Sequence, residues 1–447
     1  MRRMLITLVL LACGAAPLEA QRVLTLDSCR AMALRDNAAT VTAALHQRAA
    51  VHARTMALSR YFPTIDAGVQ AFRAEKDLVE LRTSGGNLPV YDGNPLHIPL
   101  ATEFAYLPAS TTSFLSSAVI GSIDIVQPVF AGGRILAGNR LAALNVEVHA
   151  ARRLLAEQTV ARTVEDHWWR VVMLREKRRT LDAYETMLDA LERQVADAVA
   201  AGLTVRNDLL RVQLKHADLR ADLSKLESGI TLATMALCQY VGIPFEDGIV
   251  LADSNIVIDD PRALAVDHAE AVRRRPEYQL LEQSVAAGAL QTDLARGAYL
   301  PSIAVGVTGR YIQLDRNDGR TISAVFGTLS IPISAWWGGA HDLERHALET
   351  EVARTEQRNN IELLRLEMDK VRLDLGDAWR QIGLRQQARA QAAEHVALAR
   401  DAWQQGIGSL ADLLEAQADL QHTDDRLVES RAACRTLVVQ YLQITGR

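Results

Sequence analysis

Gly202-Leu203-Thr204-Val205-Arg206-Asn207-Asp208-Leu209-Leu210-Arg211-Val212-Gln213 returns later in the chain as Gly406-Ile407-Gly408-Ser409-Leu410-Ala411-Asp412-Leu413-Leu414-Glu415-Ala416-Gln417. The leading Gly, the Asp-Leu-Leu and the closing Gln keep their places. Upstream, Tyr61-Phe62-Pro63-Thr64-Ile65 is echoed by Tyr299-Leu300-Pro301-Ser302-Ile303, with Asn37 and Arg275 at the same offset. Gln127-Pro128-Val129-Phe130-Ala131-Gly132-Gly133 is echoed by Ile331-Pro332-Ile333 followed by Trp336-Trp337-Gly338-Gly339, and Gly242 by Gly446. The same landmarks in the same order, twice, mark an internal duplication. Residues 21–242 read as a first repeat, 243–260 as a linker and 261–447 as a second repeat. The offset is 238 at Tyr61/Tyr299 but 204 at Gly202/Gly406, so about 34 extra residues sit between Pro63 and Pro128. That insertion carries Gly85-Gly86, Pro89, Pro95, Pro99 and Pro108, the composition of a surface loop.

Each repeat predicts the order helix, strand, loop, strand, very long helix, turn, helix. The first strand starts after Pro63, with Ile65, Ala67, Val69 and Ala71 on one face. The second runs from about Ser116 to Phe130, with Ile123 and Ile125 on one side and Asp124 on the other. Their counterparts run from about Ile303 to Ile312 and from about Thr321 to Ile333. These lengths suit tilted membrane strands of roughly 9–11 residues. After Gly138 no Gly or Pro appears until Gly202. A helix over that stretch would be about 95 Å long, which calls for coiled-coil packing. Leu181, Tyr184, Leu188, Leu191, Val195 and Ala198 step by three and four, and so do Leu209, Val212, His216, Leu219, Leu223 and Leu226. The last helix repeats the pattern through Leu413, Ala416, Leu420, Leu427, Cys434 and Tyr441. His216 falls on this seam and reads as a packed core histidine.

Composition bounds the function. The chain has 447 residues, 49% hydrophobic but only 5% aromatic, and a net charge of -5 without any basic block, which gives no case for nucleic acid. Arg2 and Arg3, the apolar Met4–Leu11 and the small residues before Gln21 read as an export leader over 1–20. Leu10-Leu11-Ala12 before Cys13 is also lipobox-like, so two processing routes stay open, and either one takes the chain out of the cytoplasm. Cys29, Cys238 and Cys434 are too far apart for a metal or disulfide framework and read as buried small side chains. Gly133 to Gly138 has the gap of a phosphate loop, but Asn139-Arg140 replaces the required Lys-Ser/Thr, and no other catalytic motif occurs. We therefore expect no enzyme, no cofactor and no metal site. Four strands cannot close a barrel, and open strand edges cannot face lipid, so the pattern demands several copies.

The strand start at Tyr61, the Gln127–Gly133 junction and the duplicated tip sequence together resemble the TolC outer membrane efflux family, from about Leu24 to Gly446. The resemblance implies a mixed α and β membrane protein. A homotrimer would carry a twelve-stranded barrel, four strands per chain, in the outer membrane, and a long helical tunnel in the periplasm. The insertion would lie outside the cell, and the segment from Pro244 to Arg275 would join the belt around the tunnel. The implied role is a passive exit duct for efflux or type I secretion, served by a periplasmic adaptor and an inner-membrane pump. Gly202, Leu203, Thr204, Gly406, Ile407, Gly408 and Ser409 would face the adaptor. Asp412 and Glu415, with Asp208 in the first half, would line the entrance constriction. Trp336 and Trp337, with Phe130, would sit at the membrane interface. In some members a basic residue stands where this chain has Gly408, and Arg206 lies in the other turn, so how a closed entrance is held stays open, as does the cargo. The alternative is a periplasmic helical scaffold or adaptor without a barrel.

Overall fold

The computed structural model describes residues 23–252, 258, 260–315 and 318–447. The expected leader at 1–20, with Cys13, lies outside the described residues, as do 253–257 of the linker. In chain order the elements are β1 (Val23–Leu24), α1 (Leu26–Asp36), α2 (Ala38–Ser59), β2 (Thr64–Arg73), β3 (Val79–Thr83), β4 (Gly86–Pro89), β5 (Phe104–Leu107), β6 (Ser110–Phe114), β7 (Ser117–Ala131), α3 (Arg134–Ala200) and α4 (Arg206–Val241). They continue with β8 (Val250–Leu251), α5 (His268–Ala271), α6 (Pro276–Ala298), β9 (Ser302–Leu314), β10 (Arg320–Ser330), α7 (Trp336–Gln404) and α8 (Leu410–Ile444). No helix among the described residues is long and apolar enough to cross a membrane.

The chain divides into two compact units. The larger comprises the chain up to Val51, Leu144–Ala286 and Glu351–Arg447. It is all but wholly helical and holds three cores. The first draws only on the first half of the sequence: Cys29 and Ala33 of α1, Val164 and Trp168 of α3, and Leu237 and Cys238 of α4. The parallel pair β1–β8 closes over it, with Leu24 opposite Leu251, so this part of the expected linker packs onto the first half. The second core draws only on the second half, through Val272, Met368, Leu375, Cys434 and Tyr441. The third is shared: Leu188 and Val195 of α3 and Val212 and Leu219 of α4 meet Leu410 and Leu413 of α8. These are heptad positions of the sequence, and burial of that seam stabilises helices too long to be held by propensity alone. Cys29, Cys238 and Cys434 are buried, and burial pushes the Cys434 thiol up to about 11.

Positions matched in sequence share backbone conformation. Asn37 (φ -68, ψ 136) and Arg275 (φ -74, ψ 139) each break two helices with an extended residue. They are held differently. Asn37 donates to the Tyr240 carbonyl at 2.9 Å, while buried Arg275 pairs with Glu277 at 2.6 Å and Glu367 at 2.7 Å.

The smaller unit, His52–Ala143 with Ala287–Thr350, is built on one antiparallel sheet in the order β10-β9-β7-β2. The β7–β9 pairing joins the two halves. Pro128 cannot donate to the ladder, and the register shifts between it and Phe130, a bulge that tolerates a proline inside β7. The alternation sorts the two faces. Ile65, Val69, Ile123, Val307 and Val325 share one face, and most are more than half exposed. Asp66, Asp124, Ser122, Thr308 and Arg310 share the other.

Three expectations need correction. The fourth strand ends at Ser330 rather than Ile333, because the chain tightens at Pro332 into a 3-10 turn over Ile333–Ala335. The matched glycine pairs are not equivalent either: Gly132 (φ 63) and Gly133 (φ 81) form a left-handed turn before α3, whereas that 3-10 turn does the work before α7 and Gly338-Gly339 lie inside the helix. The insertion is not an irregular loop. Its strands pair as two nested antiparallel ribbons, β3 with β6 and β4 with β5, with nearly every residue exposed.

Candidate functional site at the helix tips

The two turns that connect α3 to α4 and α7 to α8 are built alike. Gly202 and Gly406 have φ of 74° and 73°, a left-handed conformation in which a side chain is strained. At each turn the next residue's N–H reaches back five residues, Leu203 to the Ala198 carbonyl at 2.8 Å and Ile407 to Ala402 at 3.0 Å, which closes the helix end. The apolar side chains just beyond are thereby turned outward: Leu203 is 81% exposed and Ile407 80%.

The following helix starts differ. Ser409 caps α8 with a reciprocal box: its hydroxyl accepts from Asp412 N at 3.1 Å, and the Asp412 carboxylate accepts from Ser409 N at 3.2 Å. In the first tip Val205 occupies the matching place and offers no side-chain cap. Thr204 instead donates to the Asp208 carboxylate at 2.6 Å. Asp412 and Glu415 are exposed, whereas Asp208 is half-buried. They flank the buried Leu413, Leu414, Ala416 and Gln417, so the carboxylates occupy the solvent side of the first turns of α8. Gly408 sits tight against the end of α7: a Cβ there would lie 2.9 Å from the Ala402 Cβ. The position that could have carried a basic side chain therefore has no room for one without a shift. Val205, 62% exposed, is a tip residue that the sequence reading passed over, since nothing but its match to Ser409 marks it.

Further along the same helices, buried His216 lies between two carboxylates of α3, with Nδ1 2.9 Å from Glu192 and Nε2 3.2 Å from Asp189. Its hydrogen bond holds the Glu192 carboxyl below the usual range. At the β10–α7 junction, Trp336 donates its indole N–H to the Tyr299 carbonyl at 2.8 Å, and Trp337 is 86% exposed. Phe130 is 44% exposed at the end of β7. Among the described residues no group of three or more His, Cys, Asp or Glu side chains could hold a metal.

This architecture is that of outer-membrane channel proteins, the TolC-type fold. Solved structures that share it include the outer membrane protein VceC of Vibrio cholerae (15% identity, 94% of this chain and 96% of that chain, TM-score 0.71). The CmeC outer membrane channel of Campylobacter jejuni matches at 14% identity, 94% of this chain and 85% of that chain, with a TM-score of 0.74. The open state of the MtrE outer membrane channel of Neisseria gonorrhoeae matches at 13%, 94% and 88%, with a TM-score of 0.73. In sequence, Protein CyaE of Bordetella pertussis is 26% identical over 269 residues, 55% of this chain and 53% of CyaE. The chain thus spans about half the length of that curated relative. No family model matches. The fold neighbours are channels rather than enzymes.

Proposed function

We propose that this chain is one subunit of an outer-membrane exit duct, with its sheet in the membrane and its helices forming a periplasmic tunnel. The observation that carries this reading is the four-stranded sheet, which has an exposed apolar face, a polar face, and two outer strands, β2 and β10, each with one edge unpaired among the described residues. Such edges are intolerable in lipid unless copies of the chain pair them. Three copies, joined β2 to β10, give a closed barrel with Asp66, Asp124 and Arg310 toward the lumen. In that assembly Asp412 and Glu415 repeat as acidic rings at the tunnel entrance, which favour cations and bind divalent ions. Leu203 and Ile407 offer an adaptor protein exposed apolar contacts at the tips, beside Gly202, Thr204, Gly406, Gly408 and Ser409. Phe130, Trp336 and Trp337 sit at the periplasmic edge of the bilayer.

The direct test is the mass of the detergent-extracted outer-membrane species, measured by light scattering corrected for detergent. The expected value is close to three chains of 49.1 kDa less their leaders. A monomer, or a protein found soluble in the periplasm, would remove the duct.

A further inference from the structure

The insertion between β2 and β7 carries an exposed apolar surface that the duct reading leaves unused. Its outer ribbon pairs Gly86 with Leu107 and Leu88 with Ala105 and, one step out of phase, Asn87 with Tyr106 and Pro89 with Phe104. Side chains alternate along a strand, and directly paired residues share a face. Leu88 and Leu107 therefore mark one face of the ribbon, and Phe104 and Tyr106 the opposite face. All four are exposed, Tyr106 at 70%. The segment between the two strands adds Leu96 at 79% and Leu100 at 78%. An exposed apolar surface of this kind marks an interaction site, and a lone two-stranded ribbon is at best marginally stable in water.

Three features select what covers it. From Ser84 to Ala109 there is no Lys or Arg, and Asp92 and Glu103 are the only carboxylates. Such a segment has no side chain with which to pair the phosphates of a lipid surface. Among the described residues β4 and β5 pair only with each other, so each keeps an open edge. Open edges exclude burial in hydrocarbon, which removes the lipid interior as well. Finally, both faces are apolar. A flap closing on its own chain needs one such face, whereas a member of a closed ring meets two neighbours through two different surfaces. The insertion is also continuous with the proposed seam between copies. From β2 the chain runs on into β3, with the Ala74 N–H donating to the Ser116 carbonyl at 2.7 Å and the Leu78 N–H to that of Leu115 at 3.3 Å. The free edge of β2 is the one that takes a neighbour's β10. Copies joined there hold their ribbons at one rim, where tethering supplies an effective concentration on the order of mM.

We propose that the three insertions of the assembled duct pack into one apolar collar at its outer mouth, each setting its Leu88 face against the Tyr106 face of the next copy. The collar rests on the duct reading. Its test uses the full chain in the outer membrane of intact cells, with Leu88→Cys, Tyr106→Cys and the double variant oxidised by copper phenanthroline. The double variant gives a three-chain band on a non-reducing denaturing gel, at least about tenfold stronger than any cross-link of either single variant, because tethered unlike faces meet in every copy. Co-expressed single variants give two-chain bands. Leu107→Cys with Phe104→Cys repeats the comparison at neighbouring rows of the same two faces, so a single misfolded variant does not decide the matter. Single variants that cross-link as well as the double would show like faces meeting and overturn the arrangement. A species with the light-scattering mass of three chains and no cross-link would overturn the collar and leave the duct standing, whereas a monomer mass removes both. A thiol at position 88 that is shielded from a membrane-impermeant maleimide yet forms no cross-link would assign the cover to another molecule, and that too overturns the proposal.

Discussion

Replacing Gly408 by Ala should loosen one tip and leave its sister intact. The new Cβ would lie 2.9 Å from the Ala402 Cβ and 3.3 Å from the Ala402 carbonyl carbon and the Trp403 nitrogen. Carbon atoms rest at about 3.5–4.0 Å, and neither Ala402 nor the backbone of α7's last turn can swing aside as a long side chain would. Overpacking of this kind typically costs about 1–3 kcal/mol. That corresponds to about a 5- to 150-fold rise in the opening equilibrium of the turn. The reporters are built in, because the amides of Ile407 and residue 408 both donate to the Ala402 carbonyl at 3.0 Å. Hydrogen–deuterium exchange on the assembled protein should therefore speed at 406–408 and not at 202–204. Thr204→Ala is the control: position 204 already holds a side chain, and the change removes one hydrogen bond to Asp208, worth about 1 kcal/mol. Unchanged exchange at 406–408 in Gly408→Ala would mean the turn has slack, and the steric reason given for a glycine there would be wrong.

Three further outcomes are expected. Asp412→Asn with Glu415→Gln, which removes charge while keeping an acceptor in the Ser409 capping box, should raise single-channel conductance and weaken divalent-cation block by about two- to fivefold, since a unit charge at 4 Å in water is worth about 1 kcal/mol; unchanged conductance and block would remove the acidic-ring assignment. Asp315, in the turn after β9, accepts from the backbone N–H groups of Leu115, Ser116 and Ser117 and from the Ser116 hydroxyl at 2.7–2.9 Å, the hydroxyl bond leading, which brings its pKa down to about 2. Because the folded value is depressed below the ordinary 3.8, the contribution is complete above that pH and is lost as pH falls toward 2. Peptic cleavage beside Leu115 should rise over that interval, and a flat profile would show that the latch does not hold the insertion. Trp168→Ala empties a fully buried site in the first core and should cost about 3–5 kcal/mol; an unchanged thermal inactivation temperature would contradict the packing described.

The sequence was most legible where a simple period or a backbone demand acted locally. Heptad spacing marked Leu188, Val195, Val212 and Leu413 as seam residues, and all are buried. Alternation placed Ile123 and Asp124 on opposite sheet faces, and the paired glycines marked both tips because a left-handed residue is needed there. Legibility failed where partners are distant. Composition could not reveal that the proline- and glycine-rich insertion pairs with itself, since the match of Val79 with Phe114 lies in register rather than residue type. The Gly-Gly echo misled because a glycine pair serves a turn in one place and a helix interior in another. The capping role of Asp412 was hidden behind its charge. Arg30, Glu165 and Arg435 line one cavity although 135 and then 270 residues separate them along the chain, and no spacing in the sequence announces it.

The distribution of the three cores sets an order of events along the chain. Residues 24–251 contain every side chain of the first core, and residues 258–444 every side chain of the second. Each half can bury its own centre without waiting for the other. The third core and the β7–β9 ladder require both halves, and the ladder brings Ser122 to Arg310 across nearly two hundred residues of chain. Closing so long a loop is entropically costly and slow. Until it closes, β2–β7 and β9–β10 are separate hairpins with unpaired edges, the species most exposed to wrong pairing. The chain is thus most open to wrong pairing in the interval after both helical centres have formed and before its two hairpins find each other.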